Sequence, residues 1–291
     1  MSPKHKKQDT AATSKRFRGI IDESIDEFLC PITQAVPLDP VLAEDGKVYD
    51  RKAIELWLKQ QQRSPATNLP MGTKLVAATQ VKNMIERIVK SDALADEEKV
   101  RAWKERIREE DEVAKLREEA ENGDGRAAFR LGLLYKEGTK GLDVDAAKAA
   151  AFYLKAAHAG HVDGAATLAW SYLRGIGVMR NYAMALRWAA EAVGGRSASG
   201  MICLSNLYRE GRAGLPVDKE EAFRLMAKGV AAGGANAKGI LRLASMYEMG
   251  DGTPIDMEKA AAMMRQAIVH GSPEDAVQEA RGWLAARGLA A

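Results

Sequence analysis

The sequence predicts a mainly α-helical protein with two parts, a small α+β domain and a longer solenoid of paired helices. Three observations carry this prediction. Before residue 92, prolines and glycines separate two short helical patterns into a loop-rich domain. Dense alternating charge over residues 92–122 then predicts a helical linker. Beyond the linker, a pattern of two helices recurs at intervals of 36 to 39 residues within residues 123–291.

The composition, with 46% hydrophobic and 29% charged residues among 291, is that of folded domains. A net charge of +3 is too small to indicate nucleic-acid binding by itself. No apolar run approaches the roughly 18 residues that a membrane helix needs. The two cysteines, Cys30 and Cys203, fall in different predicted domains, so we expect no disulfide and a reducing compartment, cytoplasmic or nuclear.

Residues 1–20 predict a disordered basic tail. They carry six Lys and Arg residues against one acid, Asp9, and few apolar side chains that could be buried. A nuclear localisation signal and a contact with an acidic surface are the functional interpretations. A plain solvated tail is the favoured one.

Residues 21–91 contain the most informative motifs. The segment opens with FLCPIT (28–33), continues with DPV (39–41) and GKVYDR (46–51), and closes with SPATNLPM (64–71). Apolar residues at 54, 57 and 58 predict a helix over 51–61, and a second helix is predicted over 80–90. Residues 48–49 predict a strand. Pro65 forces a second loop, because the residue before a proline is pushed out of helical geometry.

This combination resembles the U-box, a domain that brings ubiquitin-conjugating enzymes to protein substrates. The resemblance implies a small RING-like α+β fold. RING fingers hold their loops with two zinc ions, but residues 20–90 contain one cysteine, Cys30, and no histidine, so no metal is expected. Hydrogen bonds and ion pairs would replace the metal. The candidates for this role are Asp50, Arg51, Glu55, Ser64 and Thr67.

The resemblance also implies catalysis without a covalent intermediate, in which the domain orients a conjugating enzyme charged with ubiquitin. The implied contacts with that enzyme are Ile32, Gln34, Trp57 and Pro65. Loop packing is the alternative for Ile32 and Pro65, and core burial is the alternative for Trp57. Cys30 has no histidine within the domain to activate it, so it is predicted to be a buried structural cysteine. No catalytic residue and no cofactor are predicted.

Asn68 departs from the family pattern. It stands where active ligases often carry an arginine or lysine that hydrogen-bonds both the conjugating enzyme and ubiquitin. Asparagine keeps two donors and an acceptor but loses the charge and the five-donor fork of arginine. We therefore expect a slower ligase, or one that is selective among conjugating enzymes.

The charged linker, residues 92–122, predicts an amphipathic helix. Its apolar residues recur at three- and four-residue spacing, namely Leu94, Val100, Trp103, Ile107, Val113 and Leu116. Because Glu110 interrupts the stripe, packing as a bridge onto the next domain is favoured over a coiled coil, and a homodimer stays open.

The repeats are marked by tyrosines 37, 36 and 39 residues apart, namely Tyr135, Tyr172, Tyr208 and Tyr247. A glycine-bearing loop and a second helix follow each tyrosine, which predicts an α-solenoid. The loop GIGV (175–178) and the pattern as a whole are similar to the Sel-one-like class of tetratricopeptide-related repeats. About four repeats are expected, with a capping helix over 275–289. We expect the tyrosines, with Met263 and Met264, in the core, and His158 and His161 at a capped helix end.

The two resemblances together imply a ubiquitin-protein ligase whose repeats bind the protein substrate. The leading alternative is a scaffold with a degenerate U-box that no longer promotes transfer. A third possibility is that the repeats bind a chaperone, which would need a cluster of Lys, Arg and Asn to clamp a carboxylate terminus. The substrate, the conjugating enzyme and the chain linkage stay open.

Overall fold

The structure is a computed structural model that describes residues 27–90 and 98–290. The basic tail predicted over residues 1–20 lies outside the described residues. The described residues are mainly helical, as predicted. The chain divides into two compact units, residues 1–111 and 112–291. None of the described helices is both long enough and apolar enough to cross a membrane.

The first unit combines a three-stranded antiparallel sheet, in the order β2-β1-β3, with helices. The strands are β1 (Pro40–Leu42), β2 (Val48–Asp50) and β3 (Val76–Ala77), and the helices are α1 (Arg51–Gln60), α2 (Thr79–Lys90) and α3 (Glu98–Glu121). The two helices and the strand predicted from the sequence are confirmed as α1, α2 and β2. No bounds were predicted for β1 and β3, because their residues show no alternation of apolar and polar side chains that would mark them.

The core of this unit lies between the sheet and α1. Val41 and Tyr49 are paired across β1 and β2, and both are fully buried. Ile54 and Leu58, one turn apart on α1, pack against them, together with Cys30. Burying each large apolar side chain stabilises the fold by roughly 1.5–3 kcal/mol. Cys30 is a buried free thiol in this core, as expected for a structural cysteine.

The start of α3 belongs to the same unit. Val100 and Trp103 are buried in a second cluster with residues of the first loop and of α2. The Trp103 indole also donates a hydrogen bond to the Pro37 carbonyl (3.2 Å). Beyond residue 111, Val113 and Leu116 are buried among residues of the second unit. Four of the apolar positions that the sequence marks on this helix are therefore buried, Ile107 is partly buried, and Leu94 lies outside the described residues.

The second unit consists of four helix pairs followed by a single helix. The pairs are α4 (Gly125–Glu137) with α5 (Ala146–His158), α6 (Val162–Arg174) with α7 (Tyr182–Gly194), α8 (Ala198–Glu210) with α9 (Lys219–Ala231), and α10 (Ala237–Met249) with α11 (Met257–His270). The last helix, α12 (Glu274–Ala285), follows where the sequence predicts a capping helix. The repeat number and the solenoid class are confirmed.

The helix ends repeat as regularly as the helices. The first helix of each pair ends at a glycine in the left-handed conformation, namely Gly138, Gly175, Gly211 and Gly250. The second helix of each pair begins after an Asp or Asn whose side chain accepts a backbone N–H, namely Asp145, Asn181, Asp218 and Asp256. These caps satisfy the polar groups that a helix end leaves open, and so they fix where each helix starts and stops.

The predictions for the repeat side chains are confirmed. Tyr135 and Met264 are buried, and the other repeat tyrosines are partly buried against the core clusters. His161 caps α6 through a hydrogen bond from the Gly164 N–H to its Nδ1 (3.1 Å). The His158 ring meets the edge of Trp188, with ring centroids 5.3 Å apart.

One loop position distinguishes the third repeat from the second. Gly177 has a φ of 70°, and a Cβ there would lie 1.9 Å from the Ala146 carbonyl oxygen of the preceding repeat. In the third repeat, the residue two positions after the glycine cap is Ala213, which has a φ of 59°. An alanine in this left-handed region costs roughly 1–2 kcal/mol relative to its preferred conformations.

We predict that Ala213→Gly raises the free energy of unfolding by about 0.5–1 kcal/mol, because relief of strain exceeds the added freedom of the unfolded chain. Gly177→Ala should lower it by about 2 kcal/mol or more through the clash with Ala146. Urea denaturation followed by circular dichroism measures both changes. The control is Ala286→Gly, at a φ of −60°, which should destabilise the protein. A loss of stability in Ala213→Gly would contradict the strain argument.

Candidate functional site

The first loop, residues 28–39, is closed by its own backbone. The Cys30 N–H donates to the Ala35 carbonyl (3.0 Å), and the Gln34 N–H donates to the Cys30 carbonyl (2.8 Å). Gln34 is exposed, has a φ of 53°, and its amide donates to the Pro31 carbonyl (2.9 Å). Ile32 is half-buried against the core beside Cys30. The loop thus presents Ile32 and Gln34 on a turn that is anchored from within.

The second loop, residues 62–70, is built around the buried Ser64. The Ser64 N–H donates to the Leu69 carbonyl (2.9 Å), and the Ser64 carbonyl accepts from the Asn68 N–H (2.9 Å). The Ser64 hydroxyl accepts from the Thr67 N–H (2.9 Å) and donates to the Asp45 carboxylate (2.5 Å). Pro65 follows at the turn and is half-buried. Its place is therefore fixed by a loop with few free hydrogen-bonding groups.

Asp45 connects this loop to the sheet. Its Oδ2 accepts from both the Ser64 hydroxyl and the Tyr49 hydroxyl (2.7 Å), and Tyr49 is fully buried. Burial alone would raise the pKa of the Asp45 carboxyl, but the bonds from Ser64 and Tyr49 outweigh burial and lower it. Burial and the bond to Asp45 raise the pKa of Tyr49 to about 12. Asp45 therefore stays a carboxylate, and its two bonds are charge-assisted.

Trp57 packs on the core and also hydrogen-bonds the second loop. Its ring is half-buried and packs on the same cluster as Ile32. Its Nε1 donates to the Arg63 carbonyl (2.8 Å), which fixes the entry into the second loop. The structure thus gives Trp57 a packing role, and its half-exposed face leaves contact with a partner open.

A second carboxylate, Asp50, fixes the end of the first loop. Its Oδ2 accepts from the Leu38 N–H (3.0 Å) and from Nη2 of Arg106 (3.2 Å), and Asp50 is 5% exposed. Arg106 also donates to the Val36 carbonyl (2.9 Å). Arg51 pairs with Asp39 nearby (2.6 Å). The loop is thereby tied to both the sheet and α3.

Side chains of three of the five residues predicted to replace a metal, Asp50, Arg51 and Ser64, take part in these networks. Thr67 contributes its backbone N–H, its hydroxyl accepts a long bond from the Leu69 N–H (3.4 Å), and Glu55 lies 3.9 Å from Arg51. Asp45 and Arg106 are not among the residues predicted from the sequence. The sequence marks Asp45 only as part of an Asp-Gly turn, and Arg106 lies beyond the predicted domain boundary at residue 91.

Asn68 is exposed at the end of the second loop, with a φ of 59° that asparagine tolerates better than most residues. Nη1 of Arg63 donates to the Asn68 carbonyl (2.9 Å). A guanidinium therefore lies beside Asn68, and sequence reasoning did not select it. The positive charge of Arg63 thus lies on the same exposed side of the second loop as Asn68.

Within the part of the chain that the structure describes, no group of three or more His, Cys, Asp or Glu residues is placed to hold a metal ion. The two loops and α1 carry the apolar and amide groups predicted to contact a partner: Ile32, Gln34, Trp57, Pro65 and Asn68. Such a surface can bind and orient a partner protein.

Comparison with known proteins assigns both parts of the chain. The U-box domain family matches residues 25–93. The Sel1 repeat family matches four segments, at residues 125–161, 163–193, 198–234 and 237–272. These segments coincide with the four helix pairs of the second unit.

Curated relatives match short segments of this chain. WD repeat, SAM and U-box domain-containing protein 1 of Danio rerio is 50% identical over 60 residues, which are 20% of this chain and 12% of the relative. U-box domain-containing protein 52 of Arabidopsis thaliana is 49% identical over 51 residues, or 18% of this chain and 6% of the relative. The matched segment is therefore a small part of each relative's length.

Solved structures with which the chain aligns include two helical-repeat proteins, both at TM-scores below 0.5. The protective antigen c5321 of uropathogenic Escherichia coli, which displays an SLR fold, aligns with a TM-score of 0.49 at 23% identity, over 73% of this chain and 45% of that one. A Sel1 repeat protein from Oxalobacter formigenes aligns with a TM-score of 0.44 at 22% identity, over 52% of this chain and 60% of that one. From the family matches, this chain is a U-box domain protein with four Sel1 repeats C-terminal to the U-box.

Proposed function

We propose that this chain is a U-box ubiquitin-protein ligase that docks a ubiquitin-charged conjugating enzyme and recruits a protein substrate, or a chaperone, through its repeats. The observation that supports it most is the pair of anchored loops. Ile32 and Trp57 share one packing cluster, and Trp57 in turn holds the second loop, which carries Pro65. These side chains therefore stand on a surface whose loops are fixed before any partner arrives.

The mechanism that this surface can support is orientation. Docking would hold the conjugating enzyme and its ubiquitin in a reactive arrangement, so that a step between two proteins becomes effectively intramolecular. The contact would be small, with an affinity of roughly micromolar order. No side chain of the surface needs to form a bond to ubiquitin, and Cys30 is fully buried.

Asn68 bears on the rate. A hydrogen bond from a charged donor is worth roughly 1.5–3 kcal/mol, against about 1 kcal/mol from a neutral one. Asn68 is exposed and free to reach a partner with its amide, while Arg63 is engaged with the Asn68 carbonyl. We therefore propose a ligase of reduced rate or narrowed choice of conjugating enzyme. The presence of asparagine at position 68, where active ligases often carry arginine or lysine, also favours the second candidate function, a scaffold with a degenerate U-box.

We predict that Ile32→Ala and Pro65→Ala each slow self-ubiquitination about tenfold or more, because each removes an apolar contact at the centre of the docking surface. The assay uses purified protein with a panel of conjugating enzymes and with a chelator present. Val76→Ala, an equally apolar exposed position on β3, is the matched control and should keep the wild-type rate. Transfer by none of the conjugating enzymes, from well-folded wild-type protein, would favour the scaffold.

We predict that Asn68→Arg accelerates discharge of ubiquitin from a conjugating enzyme by up to about tenfold, the difference between a charged and a neutral donor. Single-turnover discharge to free lysine measures this rate directly. Thr67→Arg places the same charge one residue away and serves as the control. An unchanged rate in a folded Asn68→Arg variant would show that this position does not limit transfer.

A further inference from the structure

A cavity of about 340 Å³ opens in the second unit between the first helices of the last three repeats, α6, α8 and α10. The side chains that define it include Trp170, Arg174, Ile202, Met226, Lys238 and Arg242. This volume is within the range of sites that hold small ligands or peptide side chains. Nothing in the proposed docking of a conjugating enzyme uses it.

The cavity lies where one connection between repeats is longer than the others. The connection between α9 and α10 has five residues, 232–236, whereas those before α6 and α8 have three each, 159–161 and 195–197. The longest tyrosine interval, 39 residues, falls at the same junction. While α6 and α8 pack against each other, the longer connection leaves space beside α10. The cavity is thus a departure from the regular repeat.

The cavity is cationic. Arg174, Lys238 and Arg242 contribute to its lining, and no Asp or Glu does so among the described residues. Lys238 is partly neutralised by Asp275 (2.7 Å), which lies outside the lining. The Arg174 guanidinium lies over the Trp170 ring, 4.6 Å from its centroid, so that its N–H groups stay available at the edge. Two guanidinium groups therefore lack a carboxylate partner within the cavity.

A hydrogen bond to Asn206 orients the Arg242 side chain. Its Nη1 donates to Oδ1 of Asn206, and the buried Asn206 is fixed in turn by a bond from its Nδ2 to the Ile202 carbonyl (2.9 Å). Burial lowers the pKa of Arg242, and the neighbouring Arg209 and Arg174 lower it further, against an opposing effect of Glu210. The three arginines therefore repel one another, and an anion bound between them would relieve that repulsion.

Part of the remaining wall is apolar, and Ser199 and Asn236 add polar groups to it. Ile202, Met226 and Ala235 are buried side chains that reach the cavity, and Trp170 adds an aromatic surface. A ligand that fills the space must therefore combine an anionic group with an apolar one. Inorganic anions would leave this wall uncovered. Peptides offer the combination wherever a carboxylate stands next to a branched or aromatic side chain.

We propose that this cavity binds a short peptide segment of a partner protein in which a carboxylate lies next to an apolar side chain. The carboxylate pairs with Arg242 and Arg174, and the apolar side chain rests on Trp170, Ile202 and Met226. The inference deepens the proposed function and rests on it in one respect, since the bound protein is the one that the ligase would present to the conjugating enzyme.

The test uses the full chain and three unlabelled, N-acetylated hexapeptides. One peptide ends Gly-Leu with a free carboxylate and contains no other acid. The second ends Glu-Leu with a C-terminal amide, and the third ends Gly-Leu with an amide and is neutral. Isothermal titration calorimetry should show the acidic peptides binding at least about tenfold more tightly than the neutral one, as a charged pair predicts. Binding of the first alone assigns a C-terminal carboxylate, and binding of the second assigns an acidic side chain.

Arg174→Ala and Arg242→Ala should each weaken this binding about tenfold. Arg174→Ala should keep the melting temperature, because it removes one of three repelling charges, whereas Arg242→Ala also leaves the buried Oδ1 of Asn206 without its donor and should lower it. Arg174→Ala therefore separates lost binding from lost stability. The matched control is Arg187→Ala. Arg187 also stacks on a tryptophan, Trp188 (5.0 Å), but it lies on α7 outside the cavity. Binding should stay within about twofold of wild type in this control.

Equal binding of all three peptides, or an equal loss in Arg187→Ala, would overturn the proposal. Ile32→Ala distinguishes failure of the proposed ligase function from failure of the proposed peptide site. It should retain full peptide binding while losing ligase activity, so a chain without transfer activity can still support the cavity assignment. Raising the salt concentration should weaken the acidic peptides selectively, since screening acts on the charged pair.

Discussion

Two carboxylates, Asp45 and Asp50, hold the loops of the U-box. Each lies against the sheet and accepts bonds from residues far along the chain, the Ser64 hydroxyl in one case and the Arg106 guanidinium in the other. A bond to a charged group is worth roughly 1.5–3 kcal/mol, and leaving its partners unsatisfied in the interior costs about as much again. In a domain of this size those few bonds decide whether the loops have one shape.

The loop shape in turn depends on residues outside the motif. Arg106 and Trp103 come from the charged helix, and both donate to carbonyls of the first loop. The helix therefore completes the core of the first unit with its first turns. Its later apolar residues are buried with α4 and α5 in the second unit. One amphipathic stripe thus serves two cores in succession, which explains why its hydrophobic positions do not follow a single sustained heptad.

The repeats show how regular local signals build a scaffold and how a small departure creates a potential binding site. Glycine at the end of each first helix and Asp or Asn at the start of each second helix give every pair the same boundaries. Two further residues in one connection then separate the third and fourth first helices. The space admits Arg174 and Arg242 to a common cavity with an apolar wall.

The sequence by itself determined the helices, the repeat number, the glycine caps and the two loops of the U-box. These depend on signals within about one turn or one repeat: apolar periodicity, proline and glycine breaks, and Asp or Asn caps. The candidate surface residues Ile32, Gln34, Trp57, Pro65 and Asn68 came from family motifs, and their contact with a conjugating enzyme stays a proposal.

Only the tertiary structure decided what holds those loops and where charge accumulates. Ser64 meets Asp45 across 19 positions and Arg106 meets Asp50 across 56, and no local pattern announces either pair. Arg174 and Arg242 belong to different repeats and become neighbours only when the helices stack. Periodicity reveals which face of a helix is buried. It carries no information on which distant polar group will satisfy a buried carboxylate, because that choice is made by the packing of elements against one another.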